Sequence, residues 1–521
     1  MFANGGDGGV WSGCNHALGH PGGGGRVAIY FDTWEHTGKV SAHGGFGNGN
    51  SFGQPGTVYL NSIADPSETV LVIDTGVDSN GAVRTSTGEF PFYDPETPSN
   101  LQYTFQNMRL DGNINVKFTP KLPGVNAVTM LTIRSLIGSN TAKITVAKHQ
   151  TLKLLGYSGS STQIGSSGGA DARAIYDQKE AQILTFMLDT PFETSIVRTE
   201  VQHLGEMLST RVDITVEDGG TLQLPKTLVV AGGQTVQIMG NIIGLRNLII
   251  DATGSVTLEA TGSTVGEAPG NYVIDYISIR RGGVLNTQDV NLTSSTFTLG
   301  SGISDETMSY VNAKGISSFT AGNLFIGQSG KFNGVTHGYG NGLGPGSGSK
   351  GDGASHGGRG YRQSINGMVA GKGAGYGSYM WPTTMGSGGG VSTTTGSAST
   401  SGGRGGSAIS LHVTETFTHN GIVDVSGERG QSNFGSGAAG SILVTTKKIQ
   451  GIGTFVANGA IRPPGSSYVH QYGYESGGGR VAVHCLTSTW TGKSTAYATS
   501  NAGPGTVYYD CDDRKDTLII E

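Results

Sequence analysis

Clustered glycines restrict the fold of this chain more than any other feature of its sequence. Of the 521 residues 90 are glycine, about 17%, against roughly 7% in ordinary globular proteins. The glycines occur in groups such as 22–25 and 388–390 with no period of three, and the chain has only 16 prolines. A collagen triple helix, which needs glycine at every third position, is therefore excluded.

The charge of the chain argues against two classes of partner. Charged residues make up 14%, and the net charge is −5 at neutral pH. No basic stripe exists that could release counterions from phosphates, so we expect no nucleic-acid partner. No apolar run approaches the roughly 18 residues of a membrane-spanning helix, so we expect no membrane insertion. Residues 1–6 lack the basic start and apolar core of a secretion signal, so the chain is either not exported or a mature or internal piece of a longer protein.

The two ends of the chain carry related sequences. Residues 3–39 return at 457–493 with an offset of 454 positions, and Pro-Gly-Thr-Val-Tyr at 55–59 returns at 504–508. Met1 falls inside the counterpart of a strand. The repeat therefore predicts a window on a tandem array with a period of about 450 residues, or a subunit with two similar ends. An old duplication of a terminal cap is the alternative.

Short runs of β-branched residues, each opened by a glycine, recur in the C-terminal part. Four such runs follow Gly406, Gly440, Gly479 and Gly505, at intervals of 26 to 39 residues. A strand, turn, strand and loop repeated at such intervals is typical of a solenoid. Tandem β-sandwiches, the alternative, would show linkers, whereas the only clear shift in composition lies near residue 334. We predict an all-β protein, a parallel β-helix or β-solenoid with glycine-rich loops.

These patterns divide the chain into four predicted segments. Residues 1–62 form glycine-rich coils that repeat the C-terminal end, and 63–333 form the body of the solenoid. Residues 334–406 form an irregular lobe rich in Gly, Tyr and Ser, for which a disordered linker is the alternative. Residues 407–521 form further glycine-rich solenoid coils.

The glycine-rich ends also resemble a known class of protein. The runs Gly-Gly-Gly-Gly-Arg-Val-Ala-Ile-Tyr at 22–30, Thr-Gly-Lys at 37–39 and Pro-Gly-Thr-Val-Tyr-Leu at 55–60 are similar to the glycine-rich repeats of large extracellular proteins in protists, plants and bacteria. The resemblance covers residues 1–62 and about 334–511. It implies a large secreted or surface-attached β-solenoid, and it carries no catalytic residues.

Two of the three cysteines occupy equivalent positions. Cys485 and Cys511 each lie six residues after a glycine that opens a strand, and the apolar alternation places both inward. If these strands stack on successive coils, their Cα atoms lie roughly 4.8 Å apart, within the range of a disulfide. Two buried free thiols are the alternative. A disulfide would favour an oxidising, extracellular setting. Cys14 is left over, either free or joined to a neighbouring chain.

Motifs for catalysis, cofactors or metals do not stand out. Asp74-Thr75-Gly76 matches the aspartic-protease triplet, but no second copy exists, so we expect an acidic turn after a strand. The histidines lack metal-ligand spacing, and we predict no catalytic, cofactor-binding or metal-binding residue. Asn291 heads the only N-glycosylation sequon, Asn-Leu-Thr, which predicts a surface position.

Two classes of function remain. The first is a structural extracellular or cell-surface protein, a subunit or tandem-repeat segment of a filament whose partner is another copy of itself, because matched ends can stack head to tail without closing. The second is a glycan-binding adhesin or a polysaccharide-degrading β-helix enzyme. Aromatic residues that could stack on sugars are Trp34, Tyr376, Tyr379, Trp381 and Trp490. Acidic residues are few and no pair recurs on neighbouring coils, so we favour the structural class and predict no enzyme.

Overall fold

The computed structural model is all-β. It describes residues 1–7, 21–35, 40–46, 53–66, 69–76, 85–92, 102–118, 129–138, 141–148, 150–155, 207–210, 213–303, 306–349, 352–364, 367–370, 373–390, 402–430, 434–460, 475–498, 502–512 and 516–520. This part of the chain contains 35 β-strands and no α-helix. Accordingly, none of its elements is a helix long and apolar enough to cross a membrane.

The chain divides into two compact units. Unit 1 spans Met1–Ile249 and Thr261–Val265, and unit 2 spans Ile250–Ala260 and Gly266–Glu521. The strands of unit 1 are β1 (Arg26–Phe31), β2 (Thr57–Ser62), β3 (Val70–Asp74), β4 (Thr85–Phe92), β5 (Gln102–Asp111), β6 (Asn113–Phe118), β7 (Thr129–Gly138), β8 (Lys143–Val146), β9 (Gln150–Leu154), β10 (Met207–Thr210), β11 (Asp213–Val216), β12 (Thr221–Gln223), β13 (Thr227–Val230), β14 (Thr235–Ile238), β15 (Asn241–Ile243), β16 (Asn247–Ile250), which ends at the unit boundary, and β18 (Ser263–Thr264).

The strands of unit 2 follow the same pattern of short, closely spaced elements. They are β17 (Ser255–Glu259), β19 (Asn271–Val273), β20 (Tyr276–Ile279), β21 (Val284–Gln288), β22 (Asn291–Leu299), β23 (Ser309–Lys314), β24 (Ile316–Ile326), β25 (Gly330–Asn333), β26 (Tyr361–Ser364), β27 (Gly367–Ala370), β28 (Ala408–His419), β29 (Ile422–Asp424), β30 (Ser441–Gly451), β31 (Thr454–Val456), β32 (Arg480–Trp490), β33 (Lys493–Thr495), β34 (Thr506–Cys511) and β35 (Thr517–Ile520).

Both units are built from long sheets whose strands pair in a solenoid-like sequence. Unit 1 has a nine-stranded sheet, β1-β2-β3-β5-β7-β9-β12-β15-β18, and further strands in the orders β4-β6-β8-β11-β14 and β10-β13-β16. Unit 2 has the strand orders β17-β21-β23-β25-β29-β31-β33 and β20-β22-β24-β28-β30-β32-β34-β35, with β19 beside β22. The described pairings are parallel except for β2–β3, β34–β35 and the hairpin β26–β27.

Registered columns of apolar side chains explain why these strands stack. In unit 1, Val116, Ile144, Ile214 and Val236 lie opposite one another on four successive strands, and all four are fully buried. In unit 2 the rings of Phe297, Phe319 and Phe332 are not register partners, but they pack together in the interior with centroids 5.0 to 6.3 Å apart. Because side chains alternate between the faces of a strand, each column places one face of every strand in the core.

A ladder of amide side chains also holds the strands of unit 2 in register. Asn312 Nδ2 donates to Asn286 Oδ1 at 2.9 Å, and Asn333 Nδ2 donates to Asn312 Oδ1 at 3.0 Å. Next to the ladder, Lys331 Nζ forms an ion pair with Asp424 Oδ2 at 2.8 Å. A shift of one strand by one residue would break these contacts, so the ladder opposes slippage.

Glycine-rich segments of unit 2 pack closely without forming sheets. In segment 386–390, Gly386 N donates to Gly406 O, Gly388 N to Leu343 O and Gly390 N to Asp352 O, at 2.8 to 2.9 Å. The amides of this segment thus reach three neighbouring segments, whereas those of a β-strand alternate between two. An extended helix with three residues per turn produces this pattern of directions. The described residues within 334–406, the predicted irregular lobe, belong largely to this packing.

Candidate functional site

The two ends of the chain fold alike. In unit 1, β1 pairs with β2 in parallel and β2 pairs with β3 in antiparallel orientation. In unit 2, β32, β34 and β35 repeat this arrangement. Backbone hydrogen bonds recur at equivalent positions. Ala3 N to Ser41 O matches Ala457 N to Thr495 O, Gly25 N to Ala3 O matches Gly479 N to Ala457 O, and Gly56 N to Ala42 O matches Gly505 N to Ala496 O. The repeat is therefore one of structure, and it extends to the antiparallel strand.

The last strand of each copy has a different neighbour. In unit 1 the second edge of β3 pairs in parallel with β5, and Leu71 and Ile73 of β3 are 4% and 0% exposed. In the described part of unit 2, β35 pairs only with β34. Its Leu518, Ile519 and Ile520 are 47%, 37% and 66% exposed. β35 is therefore an apolar edge strand whose counterpart in unit 1 is covered.

A cavity lies on the inner side of this end of unit 2. It has a volume of about 430 Å³, and its lining includes Ile449, Val483, Trp490, Tyr509, Cys511 and Ile519. The indole of Trp490 is 93% buried, and its Nε1 donor has no hydrogen-bond partner within the described residues. The interior of unit 2 is thus incompletely filled beside β35.

The structure joins Cys485 and Cys511 in a disulfide across β32 and β34. The two residues are direct register partners, with a Cα–Cα distance of 4.4 Å. In the first copy the corresponding partners are Phe31 and Ser62. The disulfide therefore links β34, which pairs with β35, to β32. The equivalent strands of the first copy have no such bond. Cys14 lies outside the described residues.

The outer face of the same strands carries an aromatic cluster, which we call the outer aromatic cluster: Tyr379, Trp381, His484, Tyr508 and Asp510. The Trp381 ring stacks on the His484 ring at 4.0 Å and 6°. His484 Nδ1 lies 3.0 Å from Asp510 Oδ2. Tyr379 meets Tyr508 edge to face at 5.7 Å. Trp381 is 53% exposed and Tyr379 42% exposed, so two rings of the cluster face solvent.

Buried polar side chains fasten the loop that bears Trp381. Arg480 Nε donates to Tyr376 O at 3.0 Å, and burial lowers the pKa of this arginine. His356 bonds Ala439 O through Nδ1 and Thr384 Oγ1 through Nε2, both at 2.8 Å. Burial, and secondarily the charge of Arg480, lower the pKa of His356 to about 3. His356 is therefore neutral at physiological pH, and it serves as a fixed link between this loop and the chain beneath.

The five aromatic residues proposed to stack on sugars are not brought to one surface. Tyr379 and Trp381 lie together on the outer face. Trp490 lines the cavity, and Tyr376 is half-buried with its hydroxyl 2.7 Å from Ser387 Oγ. Trp34 packs on Phe31 in unit 1 at 5.1 Å. Sequence reasoning did not identify His484 or Asp510, which directly follow the predicted β-branched runs after Gly479 and Gly505 and lie within β32 and β34.

The remaining candidate residues have local roles. Asp74 Oδ1 accepts a hydrogen bond from Gly76 N at 2.7 Å, which forms an acidic turn at the end of β3. Asn291 is exposed at the start of β22, and its Nδ2 donates to Asn271 Oδ1 at 2.8 Å. In the described ranges, no group of three or more His, Cys, Asp or Glu side chains is arranged to hold a metal.

The chain was also compared with known proteins. No protein family, curated protein or solved structure matches it.

Proposed function

We propose that the chain is a structural extracellular protein, a parallel β-helix that forms a subunit or tandem-repeat segment of a surface filament. One observation carries the proposal: β3 and β35 are equivalent strands, yet β3 pairs with β5, whereas β35 pairs only with β34 within the described residues. The uncovered edge of β35 is the place where another copy, or the next repeat, adds a strand. We propose no enzymatic activity for this role.

The chemistry of β35 favours strand addition. An edge strand presents unpaired N–H and C=O groups, and soluble proteins usually protect such edges with charges or prolines. The described residues of β35 are Thr517, Leu518, Ile519 and Ile520, with no charge and no proline. Full burial of one exposed aliphatic side chain contributes about 1.5 to 3 kcal/mol. Pairing at this edge would therefore gain both hydrogen bonds and apolar burial.

The geometry of the pairing favours a filament over a closed oligomer. Because β5 already pairs with β3 and β7, the edge of another copy that β35 would join is that of β1, a different strand, which within the described residues pairs only with β2. An interface between two different surfaces is heterologous, and it grows into an open fibre unless a rotation closes it. The Cys485–Cys511 disulfide supports an oxidising, extracellular location, since such bonds persist there.

Analytical ultracentrifugation of edge variants tests the proposal. We expect the wild-type protein to associate with increasing concentration and Ile519→Lys to stay monomeric, because the charge blocks the β35 edge. Ile452→Lys is the matched control, because Ile452 is 60% exposed and lies outside the strands. This variant should associate like wild type. A wild-type protein that remains monomeric at every concentration would contradict the proposal.

A further inference from the structure

We propose that the outer aromatic cluster is a binding site for a neutral glycan, whose sugar ring stacks on the free face of Trp381. This site goes beyond the structural role, because it lies on the outer face of β32 and β34 and does not use the open edge of β35. Three features support this site: the exposure of the Trp381 ring, the contacts that hold the ring and the charges around it.

The exposed area of Trp381 is suited to stacking. One face of the indole is covered by the parallel His484 ring at 4.0 Å, yet 53% of the residue remains exposed. This exposure therefore comes mainly from the opposite face and the ring edge. Sugars present apolar C–H faces that pack on aromatic rings, while their hydroxyl groups need polar partners around the ring.

The ring is held in place without a ligand. His484 Nε2 lies 2.7 Å from Met380 O, and its Nδ1 lies 3.0 Å from Asp510 Oδ2. Met380 packs on Leu443, Ala482 and Tyr508. Met380, which precedes Trp381, and His484, whose ring stacks on Trp381, are thus both held by contacts with the sheet. A preorganised ring loses little conformational freedom on binding, which favours affinity.

The polar groups of the cluster select the class of glycan. The Asp510 side chain is 38% exposed beside the stacked rings, and Tyr508 Oη lies 3.4 Å from Asp516 Oδ2. Carboxylates accept hydrogen bonds from sugar hydroxyls and repel uronate or sulfate groups. Arg480, a basic side chain in contact with the loop, is buried and bonded to Tyr376 O and Thr506 Oγ1. A hydroxyl-rich glycan without negative charge fits this site.

Affinity electrophoresis with soluble polysaccharides tests the inference. The neutral probes are dextran, mannan, galactomannan and xylan, and alginate is the anionic comparison. We expect the wild-type protein to be retarded by at least one neutral probe and not by alginate. Trp381→Ala should weaken this binding about tenfold or more, Trp381→Phe should weaken it less, and Asp510→Asn should weaken it measurably.

Tyr30→Ala is the control, because Tyr30 is a 63% exposed residue in unit 1 whose ring meets the Tyr59 ring edge to face at 6.2 Å. Its binding should equal that of wild type, and thermal denaturation shows whether each variant folds. The inference is overturned if no neutral probe binds, if folded Trp381→Ala binds as wild type does, or if this variant changes only self-association. The Ile519→Lys experiment is separate, so either proposal can fail without the other.

Discussion

A single histidine in the interior of unit 2 lies among aromatic rings. His419 is fully buried among Phe417, Phe455 and Trp490, with ring centroids 5.3, 4.4 and 6.4 Å away. Neither ring nitrogen has a hydrogen-bond partner among the described residues. Burial lowers the pKa of His419 to about 3, and the nearby Thr454 backbone offsets this only in part. The residue therefore behaves as a neutral ring in an aromatic stack.

Replacing this residue should change the response of unit 2 to acid. The pKa of His419 is about 3 when folded and about 6.5 when unfolded, so the unfolded chain binds more protons between these values. Each pH unit below 6.5 then removes about 1.4 kcal/mol of stability through this group. We expect His419→Phe to be more stable than wild type at pH 5 and to lose stability less steeply. Urea denaturation between pH 4 and 8 measures both effects, and an unchanged slope would contradict the burial.

The disulfide should stabilise the C-terminal strands. It closes a loop with a sequence separation of 26, for which chain entropy predicts about 3 kcal/mol. We expect reduction to lower the stability of unit 2 by about this amount in urea titrations. The double variant Cys485→Phe and Cys511→Ser, which copies the Phe31 and Ser62 pair of the first end, should not respond to reductant. Peptide mapping that finds free thiols at both positions in the unreduced protein would refute the assignment.

Positions set by a local sequence pattern could be predicted from sequence. Contacts between residues far apart in the sequence could not. The inward positions of Cys485 and Cys511 follow from a two-residue alternation counted from equivalent glycines. Trp381 and His484 are 103 positions apart, and nothing in either segment indicates the other. His419 carries no marker either, because a buried histidine and an exposed one look the same in a sequence.

At the scale of elements, the glycine-rich segments are ordered by contacts that only glycine permits. A Cβ atom on Gly389 would collide with the backbone of Gly435 and Ser436, although the φ angle of Gly389 is not in the left-handed region. Glycine is required here because neighbouring segments of the chain pack closely, as the three chains do at the axis of collagen. The sequence predicts strands well because alternation marks them, but these segments have no side-chain pattern that reveals which neighbours they touch.

Two alanine substitutions separate packing from conformational freedom. Gly389→Ala should lower the stability of unit 2 by about 1 to 3 kcal/mol, the usual cost of overpacking. Gly302→Ala is the matched control, because a Cβ at Gly302 meets no atom within 4 Å. The control should stay within about 0.5 kcal/mol of wild type. Equal effects of the two substitutions, measured by thermal denaturation, would show that the segment is not packed in this way.

Strand direction also escapes sequence reasoning. The sequence predicts a strand before the turn at Asp74-Thr75-Gly76, but a period of two is the same in both chain directions. The antiparallel pairings of β3 and β35, which mark the limits of the structural repeat, therefore became visible only in the fold.

At the scale of the whole molecule, the two ends of the chain have equivalent structures. They share strand order, register and backbone hydrogen bonds, and they differ in whether the last strand is covered. The amino-acid repeat predicts related ends, but it does not predict which edge is open, since that depends on the strand that follows.

Electron microscopy of the purified protein, without added glycan, tests this account most directly. We predict long unbranched fibres built from stacked coils that each rise about 4.8 Å. Ile519→Lys should abolish these fibres under the same conditions. Dispersed monomers or compact closed oligomers of the wild-type protein would contradict the account.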